Sequence, residues 1–391
     1  MKQIAGFLLS SVYAASLLLS IQAHGSGAVA AKSGSIVYIG TYTRQQSKGI
    51  YAFRFNPATG KTQSLGLAAE AEHPSFLAIH PSRNFLYAVN EISNFEGRKA
   101  GSVSAYAMDT QTGRLSLLNR VSSQGDSPCH LVVDKIGSVL FAANYGAGSV
   151  ATFPIMRDGK LGEASSLVQH VGGSAHPQRQ QGPHAHQVVP APDGRFALVP
   201  DLGLDKVLVY PLEAAKGTFT AGAAVTAKLE PGSGPRHLAF HPGGRFLYVI
   251  NELRSTVTVF GYDPNKGILE ELQTVSALPK NFAGNSTCAE IAVHPRGQFL
   301  YASNRGDDSL AVFAVDGHTG MITLIEHVST QGKIPRHFAI DPSGAWLFAA
   351  NQATNNVVLF RIDPRTGNLS PTGEIFEVPS PACVVFVGSD R

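Results

Sequence analysis

An all-β fold, a closed ring of seven four-stranded antiparallel blades, is predicted by three observations. One motif of short apolar runs returns along the whole chain. Each copy carries hairpin turn chemistry between its runs. The two chain ends each hold part of a single copy. The motif reads H-P-S-F-L-A-I-H-P at 73–81, then N-F-L-Y-A-V-N at 84–90. It returns as G-P-R-H-L-A-F-H-P at 234–242, then R-F-L-Y-V-I-N at 245–251, and again over 127–144, 183–201, 288–304 and 335–351. A fixed repeat of about fifty residues marks an array of identical units.

Each unit contains four runs. In the fifth copy these are 237–240, 246–250, 256–262 and 269–275. His-Pro-Gly-Gly at 241–244 separates the first two, and Asp-Pro-Asn-Lys-Gly at 263–267 the last two. Both are hairpin turn signals. No stretch beyond the N-terminal segment sustains a helical apolar period. Each copy therefore has the size and content of a β-propeller blade. The runs at 36–41, 49–55 and 62–67 match second, third and fourth strands, whereas 383–387 matches a first strand with nothing after it. Pairing the C-terminal strand with the N-terminal blade closes the ring and removes two open edges. A single seven-bladed β-propeller domain over 34–391 is the expectation.

The remaining totals narrow the partners. A formal charge of +3 with no dense Lys/Arg tract points away from nucleic acid and membrane surfaces. Residues 1–30 are expected to be a secretory signal peptide: Lys2 precedes an uncharged, largely apolar run over 4–21, with cleavage near Ala23 or Ala30. Export to the periplasm or beyond follows, with no stable membrane partner after removal of the leader. Monomer or weak homo-oligomer is the expected state. Three cysteines, Cys129, Cys288 and Cys383, leave at least one free thiol. They fall on first strands of non-neighbouring blades, so no disulfide is expected.

The repeat also locates the candidate site. The turn between strands one and two lies at one end of a blade, so the start of strand one and the end of strand two meet at the opposite rim. Across the copies that rim collects His130, His186, His237, His337, Arg236, Arg305, Arg336, Glu91, Glu252 and Glu290, together with Asn144, Tyr145 and Asp201. A mixed-charge ring around a concave mouth suits an anionic or ester-like small molecule. The recurring Asn reads as a loop cap, and His130 and His337 read in part as blade architecture. The Arg and Glu residues break the repeat and read as functional. His184 and His186 stand two apart on one face of a strand, and could supply two zinc ligands. The arginines at the same mouth oppose a dication, so no metal and no cofactor is expected.

Gly182-Pro183-His184-Ala185-His186, Gly194-Arg195-Phe196 and Pro200-Asp201-Leu202-Gly203 together resemble the signature of the seven-bladed-propeller lactonases, which include 6-phosphogluconolactonases and carboxy-cis,cis-muconate cyclases. Residues 143–150, 234–237, 251–253 and 303–306 are similar to the same pattern. The resemblance implies a metal-independent site in which a histidine (His184 or His186), Arg236, Glu252 and Arg305 are catalytic. His130, Asn144, Tyr145, Asp201, His237, Glu290, Arg336 and His337 are the expected substrate contacts. The expected reaction is hydrolysis of a sugar-derived lactone, with arginines at the oxyanion and Glu252 or His186 as general base. Two alternatives stand beside it: a muconolactone-type cycloisomerase and a non-catalytic exported binding propeller. The leader is a departure from the family's cytosolic members, and leaves open which lactone is taken.

Overall fold

The computed structural model describes Met1 and residues 34–388, apart from residues 45, 214–216, 221 and 223. The expected leader lies outside the described residues. From residue 34 onward the chain forms seven antiparallel sheets. Blade 1 joins Pro381–Val387 to Ser35–Thr41, Gly49–Asn56 and Lys61–Glu70, so the C-terminal strand completes the N-terminal blade. Blades 2 and 3 begin with Leu77–Ile79 and Pro128–Val133. Blades 5, 6 and 7 begin with Pro235–Phe240, Thr287–Val293 and Pro335–Ile340, and each has four strands.

Blade 4 departs from the repeat. Its first strand is reduced to Val189–Pro190, helped by an isolated bridge between Ala185 and Asp201. Pro190 has no N–H to give to a ladder. An extra short strand, Thr218–Phe219, pairs with Lys206–Glu213 and makes this sheet five-stranded. A loop over 171–184, longer than its counterparts, precedes the short first strand and reaches the channel mouth.

The core is divided among the blade interfaces. Seven apolar clusters each combine side chains of two neighbouring blades, and together they account for every junction in the ring. Strands with side chains buried on both faces pack one blade onto the next. Repeated polar residues reinforce these junctions. The strand-two tyrosines Tyr87, Tyr248 and Tyr301 donate to the carbonyls of Gly159, Gly320 and Gly367 in the following blade. The turn histidines His80, His241 and His294 donate through Nε2 to Gly137, Gly297 and Gly344. Their Nδ1 atoms accept the amides of Ser82, Gly243 and Arg296, which fixes the tautomer. The F-L-Y and His-Pro elements of the repeat are thus inter-blade fasteners. The three cysteines are buried and free.

Candidate active site

The mouth is shaped by a bulge that recurs at the start of the inner strand. The ladder of blade 5 pairs Pro235 with Asn251 and then His237 with Ile250, skipping Arg236. Blade 7 skips Arg336 and blade 3 skips Cys129 in the same way, while blade 6 skips Ala289 and Glu290. A bulged residue leaves the pleat and its side chain is re-aimed. Arg236, Arg336, Cys129 and Glu290 all gain access to the channel by this device.

A cavity of about 270 Å³ opens at this rim, lined by Tyr42, Arg44, Glu91, Cys129, Tyr145, Arg179, His186, Glu252, Arg305, Arg336 and Gln352. Glu252 organises one side of it. Its Oε1 accepts from Arg179 Nη2 at 2.6 Å. Its Oε2 meets Arg236 Nε at 3.1 Å and Arg305 Nη2 at 2.8 Å. The arginines are anchored in turn: Arg236 Nη1 donates to the Ala289 carbonyl (2.7 Å), Arg305 Nη2 to the Cys288 carbonyl (2.7 Å), and Arg179 Nη2 to Tyr145 Oη (3.2 Å). Burial alone would raise the Glu252 pKa, but Arg305, Arg236 and Arg179 outweigh it and hold the carboxylate at about 2. Arg236 itself is pushed down to about 10 by burial and by Arg336 and Arg305. The two partners shift unequally because Arg236 lies among other cations, whereas Glu252 faces cations only.

Beneath the mouth a second carboxylate meets histidines. Glu290 receives His237 Nδ1 at 3.1 Å, His337 Nε2 at 3.3 Å, and the Ile291 amide at 3.0 Å. Burial raises the Glu290 pKa. Burial holds His237 well below its usual range and His337 at about 4. His337 Nδ1 accepts the Val384 amide of blade 1 (3.3 Å), and His130 Nδ1 accepts the Val188 amide of blade 4 (3.5 Å). These bonds to the next blade match the architectural part expected of the two residues.

The remaining predicted residues divide clearly. His186 lines the cavity and is buried; burial, Arg236, His237 and Arg336 keep its imidazole well below the usual range, so it is neutral at pH 7. His184 does not line the cavity. It stacks on Tyr145 (ring centroids 4.4 Å apart) and donates through Nδ1 to the Tyr145 carbonyl (2.9 Å), so it supports the wall. Asn144 and Asp201 were expected to contact substrate, but the structure places both behind the lining. Asn144 donates to the Ser123 carbonyl and the Ser149 hydroxyl. Asp201 accepts His170 Nδ1 and the amides of His184, Gly203 and Leu204. His130, His237, Glu290 and His337 lie at the channel floor, not the mouth. Arg336 and Tyr145 line the mouth.

Two charged lining residues, Arg179 and Arg44, stand outside the set read from the sequence. Arg179 arrives on the blade 4 loop, whose path is held tightly: a Cβ on Gly203 would sit 1.9 Å from the Gly182 carbonyl oxygen. Only glycine allows that approach. The signal for Arg179 was the insertion itself, which breaks the repeat just before the His184/His186 pair. Arg44 follows the end of the blade 1 strand, and nothing in the repeat singles it out.

A family model described as lactonase, seven-bladed β-propeller, matches residues 36–386. The chain belongs to this family. The lactonase is 38% identical over 352 residues to the 6-phosphogluconolactonase of Bacillus subtilis, covering 90% of this chain and 98% of the relative. The structure of a periplasmic gluconolactonase from Pseudomonas aeruginosa is 36% identical, with a TM-score of 0.85, covering 91% of this lactonase and 99% of that chain. A protein from Lactobacillus plantarum, 34% identical, superposes with a TM-score of 0.84 over 90% of this chain and 99% of its own.

Proposed function

We propose that the lactonase hydrolyses a sugar-derived lactone at this mouth without a metal, using His186 as general base and an arginine clamp ordered by Glu252. The observation that carries the reading is the pairing of one neutral, cavity-lining imidazole with a carboxylate saturated by three guanidinium groups. A base with a pKa near 2 has little driving force for taking a proton at neutral pH. Glu252 therefore holds the arginines, and His186 takes the proton from water. Attack on the ring carbonyl develops an oxyanion, which Arg305 and Arg179 stabilise through charge-assisted hydrogen bonds. Collapse breaks the ring C–O bond, and the departing oxygen takes the proton back from His186. The product is an open hydroxy acid. Four arginines against two glutamates around the cavity favour an anionic transition state and oppose a divalent cation.

The Bacillus relative is named for a phosphorylated sugar lactone and the Pseudomonas relative for gluconolactone, and both support a sugar lactone as substrate. The latter is also periplasmic by name, which supports export of this chain together with the leader expected from its sequence. The test is turnover of plain and phosphorylated aldonolactones in heavy-oxygen water. Hydrolysis places one label in the product carboxylate. An unlabelled product would favour the cycloisomerase, and absence of turnover across the panel would favour the binding propeller.

A further inference from the structure

The arginines of the mouth fall into two kinds. Arg179, Arg236 and Arg305 come from blades 4, 5 and 6, and each is tied to Glu252. Arg336 comes from blade 7, next to blade 6 and three blades from blade 4, and its guanidinium has no hydrogen-bond or ion-pair partner among the described residues. It lies over the Tyr42 ring, 5.1 Å from the centroid. Arg44, at the outer lip, approaches the same ring at 5.5 Å and is likewise without a hydrogen bond or ion pair among the described residues. The carboxylate bonded to the Tyr42 hydroxyl is already engaged: Glu91 Oε2 accepts Tyr42 Oη at 2.7 Å and Ser75 Oγ at 2.5 Å. Those bonds fix the tyrosine ring that carries Arg336.

An arginine stacked on an aromatic ring keeps its planar edge free, with N–H donors spaced for two oxygens. That edge fits a carboxylate or phosphate in bidentate fashion. Uncommitted donors on a half-buried side chain are costly unless something receives them. The bulge at Arg336 aims this group into the cavity and away from a ladder position.

We infer that Arg336, assisted by Arg44 at the lip, forms an anion subsite that grips a carboxylate or phosphate carried by the substrate away from its lactone carbonyl. The carbonyl then faces His186 and Arg179, which blade 4 and its loop bring to the opposite side of the cavity. The inference rests on the lactonase reading, and divides labour within it: committed arginines serve the reaction, and uncommitted ones select the substrate. The chemistry is shared by sugar phosphates and sugar diacids, so both are tested.

The experiment measures kcat/KM of wild type, Arg336→Gln, Arg336→Lys and Arg179→Gln. The substrates are glucono-δ-lactone, its 6-phosphate, and a glucaric acid lactone. Arg336→Gln is expected to lower the anionic-to-neutral ratio of kcat/KM by about 10- to 100-fold, mainly through KM. Arg336→Lys is expected to restore part of it. The anion whose ratio falls is the one the subsite takes. An unchanged ratio, or loss of the ratio in Arg179→Gln instead, overturns the assignment. If wild type turns over none of the three, the lactonase reading fails, and the subsite is judged by binding alone. Inorganic phosphate or malonate should then raise the melting temperature of wild type and not of Arg336→Gln; no shift in wild type overturns the subsite as well.

Discussion

Two buried glutamates, one at the mouth and one at the floor of the same channel, have opposite fates. Glu252 meets three arginines and stays ionised down to about pH 2. Glu290 meets two histidines, and burial moves its pKa upward. Arginine keeps its charge in a dry site, so it can hold a carboxylate as an anion. Histidine gives up its proton to burial, so the floor can settle as a less charged network. The mouth is therefore built to retain charge and the floor to avoid it. Chemistry that develops an oxyanion belongs at the mouth.

The contrast can be broken most forcefully at Arg236. Arg236→Ala removes a buried partner of Glu252 and is expected to cost about 3–5 kcal/mol of stability. By loosening Glu252 and the arginines it holds, it should also cost about 100-fold in kcat/KM for a sugar lactone. Denaturant unfolding and steady-state kinetics measure the two losses separately. His186→Gln should lower kcat by roughly 100-fold or more while leaving the unfolding midpoint nearly in place.

Acid distinguishes the two layers. The buried histidines have folded pKa values below their unfolded values, so the stability they permit is complete above about pH 6.5 and falls as pH drops. For His337, with a folded value of about 4, the loss between pH 6.5 and 4 amounts to about 3 kcal/mol. Glu252 acts in a lower window: its contribution is present above about pH 4.5 and is lost as pH falls towards 2. Unfolding free energies at pH 7, 5.5 and 4 should show the histidine-driven decline first. A flat profile over that range would remove the floor half of the comparison. The smallest effect is expected from Glu290→Gln. A carboxyl with a raised pKa contributes its stability at low pH and loses it as pH rises, so the amide should change stability at pH 7 by no more than about 1 kcal/mol.

The ring was legible because its repeat serves packing. Tyr87, Tyr248 and Tyr301, and the turn histidines His80, His241 and His294, recur because every blade junction requires the same bonds. The rim was legible because strand ends are fixed by the same repeat. What escaped was the direction of side chains. A one-residue bulge decides whether Arg236 or Arg336 faces the channel, and no spacing in the sequence reveals it. Asn144 and Asp201 sit at the same rim as Glu252 but spend their bonds on neighbouring loops, a distinction set by local hydrogen bonding. Arg179 lay outside the repeat altogether, on a loop whose course depends on Gly203 meeting Gly182. His184 and His186 were not separable by spacing alone: His184 supports Tyr145, while His186 faces the cavity.

The central claim is that Glu252 orders the arginines of a lactone-hydrolysing mouth. The direct measurement is kcat/KM of Glu252→Gln on a sugar lactone that wild type hydrolyses, with the fold checked by circular dichroism. A neutral amide of the same shape cannot hold three guanidinium groups. The expected result is a loss of about 100-fold or more in a protein that is still folded. Wild-type turnover by folded Glu252→Gln would contradict the account.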